Sequence, residues 1–536
     1  MAKRQITNRL FDAREWQKEA YRATLEKYNN GGKSFLTVAT PGAGKTKYAI
    51  TVAHYFLINK LCERIVIVTP SDELKKQWAQ TAAEFAGIDI DPNFSNNFGI
   101  EANDYYGIAI TYALLAQDKK FIHQQNTFNH KTLVIFDEPH HMGDSLSWGE
   151  AALKAFDGAV FRLLISGTPF RSDDAKIPFV TYNNNVSVSD YEYSYERAIK
   201  ENVCRPVYFS IFDGIMKWKV GAEEFEHTFK DSLQPDQVSK RLKTALDPSG
   251  NWVRDVLRAA DSKLIEIRGT HRDAAAMVVA STQKHAKELA KVIEEITGKL
   301  PPIVVSEDGD GSEKIERFRR GYDRWLVSVR MVSEGVDIPR LRVGVYFTII
   351  KAELFFRQLT GRFVRVLAHL QAQDAFIFIP QDKDIVRLAE SIQEERDHAL
   401  DEAERAALGQ NDPDTLFGSD YQNALTGKFQ PLGSDATDNK IISVNVEINN
   451  GAKHGIDHRK PEEQEPVYQQ KKHLRERLNL LAKQYAIKTT NGNRSIRPDF
   501  KIAHKKWMEA GGKNMELETI DELNRRVIFY QNLIRN

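Results

Sequence analysis

The sequence predicts an α/β protein: two tandem parallel-sheet domains followed by a helical, basic C-terminal region. Three observations lead there. Short β-branched runs alternate with segments of helical period from Ser34 to Pro169. A second block of the same kind runs from Ala276 to Ile379, and beyond Pro380 the alternation gives way to charged helical patterns. Strand–helix alternation favours a parallel sheet covered on both faces, because each parallel crossover carries a helix back over the sheet.

The strands of the first block are read as Ser34–Ala39, Ile65–Thr69, Ile108–Thr111, Leu133–Phe136 and Leu163–Ser166. Between the second and third of these, Asp72–Phe85 has helical spacing, with Ser71 as its N-cap and Leu74, Trp78 and Phe85 as apolar points. The second block supplies Ala276–Ala280, Ile303–Ser306, Leu326–Val329, Val343–Phe347 and Ala375–Ile379. The stretch between the blocks is polar and less regular, although Glu201–Tyr208 reads as a helix end leading into a strand. Asp384–Leu408 reads as a solvated charged helix, and residues 409–468 as a loop or partly ordered linker. The expected division is 1–185 and 273–382 for the two α/β domains, 186–272 for a connecting segment, 383–468 for the charged helix and linker, and 469–536 for the basic helical end.

With 536 residues, roughly three domains are expected. At 41% apolar and 28% charged the composition is that of an ordinary globular protein. No apolar run reaches the roughly 18 residues of a membrane helix, and the start lacks a secretion-signal core, so a cytoplasmic protein without membrane contact is expected. A net charge of +1 provides no global field for a polyanion, so any nucleic-acid binding must use local basic patches. Cys62 and Cys204 stand far apart, in no metal-binding spacing, and read as plain thiols.

The chemistry is concentrated at two places. Ala39-Thr40-Pro41-Gly42-Ala43-Gly44-Lys45-Thr46 follows a strand and opens a helix. The loop Pro41-Gly42-Ala43-Gly44 can wrap the phosphates, with the backbone N–H groups of Gly42, Ala43 and Gly44 converging on their oxygens, and the helix N-terminus adds its positive end. Lys45 would reach the β/γ-phosphates of ATP and Thr46 would ligate Mg2+. The tight turn rests on Gly42 and Gly44, since Ala39 stands where such loops begin with glycine. Asp137-Glu138-Pro139-His140 then follows a buried strand. Adjacent acids at a strand end point to different sides, so Asp137 can serve the magnesium and Glu138 can activate water. With no cysteine cluster nearby, His140 and His141 do not read as a zinc site.

These residues resemble the motifs of superfamily 2 helicases and translocases, in order, over about Arg14 to Ile379. The resemblance implies two RecA-like domains that hold ATP between them. It places Arg14 and Gln17 at adenine, Thr69-Pro70 at motif Ia, Thr111-Tyr112 at motif Ib and Ser166-Gly167-Thr168-Pro169-Phe170-Arg171 at motif III. Ser281-Thr282 sits at motif IV, and Ser333-Glu334-Gly335-Val336-Asp337-Ile338-Pro339 at motif V, whose Gly335 and Asp337 would face the nucleotide. Gln358-Leu359-Thr360-Gly361-Arg362-Phe363-Val364-Arg365 fits motif VI, with Gln358, Arg362 and Arg365 as catalytic residues and the two arginines as fingers for the γ-phosphate. Thr69, Thr111, Ser281 and Ser333 would touch a nucleic-acid backbone; ordinary turn capping is their bland alternative.

The motif wording resembles type III restriction subunits, excision-repair ATPases and phage branch-migration helicases more than the local RNA-unwinding branch. The expected partner is therefore DNA, duplex or forked, in DNA repair, recombination or antiviral defence. An RNA helicase, or an ATP-switched clamp that recruits an effector, is the rival reading. No nuclease constellation is found; Arg497–Lys501 is only faintly similar to part of one, so cutting is expected from a separate nuclease or effector subunit. From Lys471 onward 15 Lys/Arg stand against 7 Asp/Glu, a net of +8. Basic residues beside Trp507 suit a phosphate-contacting surface, and deleting 465–536 is expected to weaken DNA binding while core ATPase survives.

Overall fold

The structure is a computed structural model. It describes residues 6, 13–143, 146–167, 176–183, 186–220, 223–305, 311–329, 338–367, 369–370, 373–407, 439–441, 465–489 and 501–535. The chain divides into two compact units. The first comprises Met1–Val38, Gly44–Glu192 and Gly455–Asn536; the second comprises Ala39–Ala43 and Tyr193–His454.

In the first unit the strands are β1 (Ser34–Ala39), β2 (Arg64–Thr69), β3 (Ile90–Asp91), β4 (Gly107–Thr111), β5 (Thr132–Asp137) and β6 (Phe161–Ser166). A small antiparallel ribbon, β7 (Thr181–Asn183) and β8 (Val186–Val188), precedes β9 (Tyr191–Tyr193). The sheet order is β3-β4-β2-β5-β6-β1-β9, with parallel pairing from β3 through β1. All residues of β2, β5 and β6 are buried, as expected of strands covered on both faces. Close strand approach is strict at Gly107, where any Cβ would collide with the Ile65 carbonyl of the neighbouring strand.

The helices of this unit are α1 (Glu15–Asn29), α2 (Lys45–Ile58), α3 (Asp72–Ala86), α4 (Tyr112–Ala116), α5 (Ile122–Asn129) and α6 (Leu146–Phe156). The Ser71 hydroxyl accepts from Leu74 N, and left-handed Gly87 ends α3, as capping chemistry requires. One core layer joins Val66, Val68, Ile108, Ile110, Val134 and Phe136 to α4 and α6 through Leu115, Ala152 and Phe156.

The second unit contains β10 (Val207–Phe212), the antiparallel hairpin β11 (Ile215–Val220) and β12 (Glu223–Thr228), then β13 (Ala275–Ala280), β14 (Ile303–Val304), β15 (Trp325–Val329), β16 (Leu341–Phe347), β17 (Ala375–Pro380) and β18 (Asn439–Ile441). Its sheet runs β14-β15-β13-β16-β17-β10-β18, parallel except for β18 on β10. Helices α7 (Tyr195–Lys200), α8 (Pro235–Ala245), α9 (Asn251–Arg268), α10 (Gln283–Thr297), α11 (Gly311–Arg320), α12 (Glu353–Thr360) and α13 (Lys383–Ala407) complete it. Two tandem RecA-like parallel-sheet domains are thus present, with a helical C-terminal region.

The division differs from the expected one in two respects. Residues expected to connect the domains supply β10 to the second sheet, paired along its length with β17; a strand so placed belongs to that core. The C-terminal helices α14 (Val467–Thr489), α15 (Ile502–Glu509) and α16 (Ile520–Arg535) belong to the first unit. They have a small core of their own around Leu478, Tyr485, Ala503, Leu523, Val527 and Tyr530. A second cluster, Ala102, Tyr105 and Val467 with Tyr468 and Ile520, fastens them to the first sheet. Lys471 Nζ reaches Asp104 Oδ1 at 2.7 Å with no side-chain exposure, Ile520 N–H donates to Asp104 Oδ2, and Val467 N–H donates to Asp89 Oδ1. Asp89 and Asp104 precede β3 and β4, so the bundle sits at the N-terminal ends of these strands. Helix α14 also begins four residues before Lys471, within the stretch read as linker.

Candidate active site

The loop after β1 is shaped by two glycines with positive φ, +84° at Gly42 and +94° at Gly44, a region that side-chain-bearing residues avoid. Gln17 secures it. Its Nε2 donates to the Gly44 carbonyl at 2.9 Å, while its Oε1 accepts the Arg14 backbone N–H at 2.9 Å. A Cβ on Gly44 would lie 3.0 Å from Gln17 Nε2 and 3.6 Å from an Arg14 guanidinium nitrogen. Arg14 and Gln17, 27 or more residues away in sequence, therefore meet the loop, and α2 starts at Lys45 with Thr46 in its first turn.

Asp137 closes β5 and Glu138 follows with φ +49°, unusual for a non-glycine residue. Its backbone N–H donates to the Ile165 carbonyl of β6 at 2.9 Å, which stabilises this conformation. Such departures concentrate where the surrounding structure must aim a side chain. The Glu138 carboxylate collects Lys45 Nζ on Oε1 at 3.0 Å, and the Ser166 hydroxyl at 3.0 Å and Gly167 N–H at 3.1 Å on Oε2. His140 Nδ1 lies 3.6 Å from Oε2. Burial pushes the Glu138 pKa up, but Lys45, His140 and the Gly167 N–H outweigh it and bring the group down to about 2.

Asp137 is held differently. The Trp78 indole N–H donates to its Oδ2 at 2.8 Å, and the Tyr112 hydroxyl donates to its backbone carbonyl at 2.9 Å. Neither contact was legible in the sequence, where Trp78 reads only as an apolar helix position. Asp137 offers a carboxylate at the end of β5 and Thr46 a hydroxyl in the first turn of α2, hard oxygen donors of the kind Mg2+ takes, so these residues fit that ion. Trp16 and Tyr112 are fully buried; each serves packing and is not presented for stacking.

Within the second unit, Gln358 lies on α12, and Gly361, Arg362 and Arg365 lie in the turn and extended segment after it. That unit also includes the loop tip Ala39–Ala43. A Cβ on Gly361 would collide with the Pro41 ring, which explains a glycine there. A Cβ on Gly42 would be 3.4 Å from Arg365 Cδ, and Cys204 Sγ donates to the Pro41 carbonyl at 3.4 Å. Both arginines are half-buried. Ser333, Gly335, Asp337 and the Thr168–Arg171 part of motif III lie outside the described residues, as do Arg497 and Asp499.

Three of the hydroxyls expected at a polymer backbone are bonded within the protein. Thr69 Oγ1 donates to the Ser71 carbonyl, Thr111 Oγ1 accepts Leu114 N–H as the α4 N-cap, and Ser281 Oγ donates to the Phe347 carbonyl. Thr69 is wholly buried, while Thr111 and Ser281 are partly exposed. In the C-terminal bundle, Trp507 is not a surface platform: its indole N–H bonds Glu518 at 2.5 Å and its ring packs on Phe529. Arg526 and Glu518 pair at 3.1 Å in full burial and cancel each other, whereas buried Lys471 is matched by Asp104 outside the tail, so one charge of the +8 is internal. Lys472, Arg477, Lys483, Lys505, Lys506 and Arg525 remain exposed.

Residues 10–171 match the family model described as "Type III restriction enzyme, res subunit". The chain is 39% identical over 438 residues to the uncharacterized protein Rv2917 of Mycobacterium tuberculosis, covering 80% of this chain and 71% of that one. It is 25% identical over 381 residues to the DNA 3'-5' translocase XPB2 of Sulfurisphaera tokodaii, covering 66% and 79% of the two chains. In solved structures it is similar to a fragment of an HsdR subunit of a type I restriction enzyme from Vibrio vulnificus. That match has a TM-score of 0.51 at 17% identity and covers 71% of this chain and 66% of that one, a likeness of fold. The chain belongs to the superfamily 2 helicase-like family, whose members generally hydrolyse ATP with magnesium and act on nucleic acid. No helix among the described residues is long and apolar enough to cross a membrane.

Proposed function

We propose that this chain is an ATP- and magnesium-dependent DNA translocase or helicase. The observation that carries the reading is the convergence of Lys45, Ser166 and Gly167 on the Glu138 carboxylate, next in sequence to Asp137. Before nucleotide arrives, Lys45 and Glu138 neutralise each other. A triphosphate would draw Lys45 toward its β- and γ-oxygens. Glu138 would then lose its principal cation and become a stronger proton acceptor, suited to orienting the attacking water. Thr46 and Asp137 would hold magnesium, which when bound offsets phosphate charge. Arg362 and Arg365 would supply the remaining positive charge in the transition state, and Arg14 and Gln17 would face the base.

The Ser166–Gly167 hold on Glu138 connects the motif III stretch to the state of the site. Rearrangement there on hydrolysis would be one route by which chemistry drives movement along a strand. DNA as the polymer is supported by similarity to a DNA translocase. Repair or defence is the expected setting, with nuclease activity left to a separate subunit. Partly exposed Thr111 and Ser281, with Ser333, are the proposed backbone contacts; buried Thr69 would act through its turn. The exposed bases of the C-terminal bundle add a second positive surface.

The test is steady-state ATPase with no polymer, single-stranded DNA, duplex DNA, forked DNA and RNA, beside Glu138→Gln as the blank. Stimulation by DNA that is lost in the variant supports the proposal. Stimulation by RNA alone overturns the choice of polymer. Hydrolysis with no displacement of a third strand from DNA favours a clamp over a motor.

A further inference from the structure

Arg205 lies outside every motif, yet it is 1% exposed and fixed at three points within the second unit. Its backbone N–H donates to the Val364 carbonyl at 2.8 Å. Its guanidinium donates to the Pro339 carbonyl at 2.6 Å, and its own carbonyl accepts the Tyr195 hydroxyl at 2.9 Å. One residue earlier, Cys204 forms an antiparallel bridge with Arg365. A single side chain and its backbone thus join three segments: the end of motif V at Pro339, the arginine-bearing end of motif VI, and helix α7.

The burial is costly. Arg205 Nε and one terminal nitrogen have no hydrogen-bond partner among the described residues. Burial, with like charges on Arg342 and Arg365, pulls its pKa down to about 9. An apolar residue would fill the same space without that penalty. What an apolar residue could not do is reach and hold the Pro339 carbonyl. Groups that act only in a transition state lose effect steeply when displaced by about 1 Å, so their supporting contacts carry functional weight.

We propose that Arg205 is a positioning residue for the arginine fingers: it locks the segment ending at Arg365 to Pro339, so that Arg362 and Arg365 are preset for the transferring phosphoryl group. This rests on the ATPase reading above. It assigns Arg205 no contact with nucleotide.

The test compares the full chain with Arg205→Met, Arg205→Lys and Tyr195→Phe. Dissociation constants are measured for magnesium-ADP and for magnesium-ADP with aluminium fluoride, a mimic of the phosphoryl group in transfer. The ratio of the two reports preference for the transition state and does not depend on the folded fraction. Arg205→Met is expected to bind ADP within about twofold of wild type and to lose about tenfold in preference, with a similar fall in kcat and little change in KM. Arg205→Lys, still able to donate to Pro339, should retain the preference within about threefold. Tyr195→Phe removes only the hydroxyl and should lose about twofold to fivefold; it decides the matter if Arg205→Met fails to fold. A wild-type preference in Arg205→Met, or in Tyr195→Phe where only that variant folds, overturns the positioning role alone. A wild-type chain that neither hydrolyses ATP nor prefers aluminium fluoride overturns the ATPase reading and the positioning role together.

Discussion

The indole N–H of Trp78 donates to Asp137 Oδ2 across 2.8 Å, joining the middle of α3 to the end of β5. Trp78 is 1% exposed. A buried donor directed at a carboxylate fixes which oxygen remains for other partners, much as outer contacts orient metal ligands elsewhere. Trp78→Phe keeps most of the apolar volume and removes that donor. The expected result is a magnesium midpoint for ATPase raised roughly 10-fold to 100-fold, with ATP binding in excess magnesium little changed. A magnesium titration of turnover checks this; an unshifted midpoint would refute it.

Glu138 gives a pH prediction with a definite sign. Its carboxyl is brought from 4.5 to about 2 in the folded protein, against the pull of burial. A depressed carboxylate stabilises the fold fully above its unfolded pKa and loses that contribution as pH falls toward about 2. The Glu138 carboxylate should therefore stay ionised and paired with Lys45 as pH falls to about 5, and kcat/KM of the free enzyme should show no acid limb from Glu138 above that pH. Glu138→Gln should abolish turnover while leaving any limb in nucleotide binding unchanged. A limb near neutrality in kcat/KM that disappears from nucleotide-binding profiles of the variant would contradict the assignment.

Gly361 faces the Pro41 ring with no room for a methyl group. Gly361→Ala must displace the loop tip or the turn that carries Arg362. ATPase should drop by about two orders of magnitude, the size of effect that small misplacements of catalytic groups produce. The melting temperature should move by only a few degrees, as for a local shift of about 1 kcal/mol. Turnover and thermal denaturation measured on the same preparation separate the two effects.

Lys471→Met would leave the Asp104 carboxylate buried without its ammonium partner. Loss of one member of a buried pair typically costs roughly 3–5 kcal/mol. The bundle should become protease-sensitive and the denaturation midpoint should fall. Adding Asp104→Asn should recover part of the loss, since it removes the stranded charge. The same contacts revise the expectation for deleting 465–536: the truncation would uncover Ala102 and Tyr105, so single substitutions at Lys472, Arg477 or Arg525 are the cleaner probe of polymer binding. Each should reduce the salt dependence by about one charge if it meets phosphate.

Most strands were legible because buried parallel strands are continuous apolar runs, and the ranges read for β1, β2, β5, β13 and β17 fall within one or two residues of those observed. The two-residue β3 and the three-residue β9 were missed because so few residues carry no period. The start of β10 was legible, but not its sheet, because Val207–Phe212 is apolar wherever it pairs. At the site, the order of residue types identified Lys45, Thr46, Asp137 and Glu138, since chemistry demands those groups at that spacing. Trp78, Tyr112 and Arg205 escaped for one reason: each acts through hydrogen bonds to residues distant in sequence, and such bonds leave no local pattern.

By itself, then, the sequence determined two parallel sheets, a phosphate-loop glycine pattern, an acid pair and a pair of arginines, all set by local period and residue chemistry. Only the tertiary structure decided that Glu138 adopts a left-handed backbone, that Gln17 secures Gly44, and that Arg205 is buried between Pro339 and Val364. It also decided that the basic C-terminal helices sit on the first sheet through Lys471 and Asp104. These choices are made by hydrogen bonding and desolvation among groups tens to hundreds of residues apart. Their energies exist only once the chain has brought them within about 3 Å.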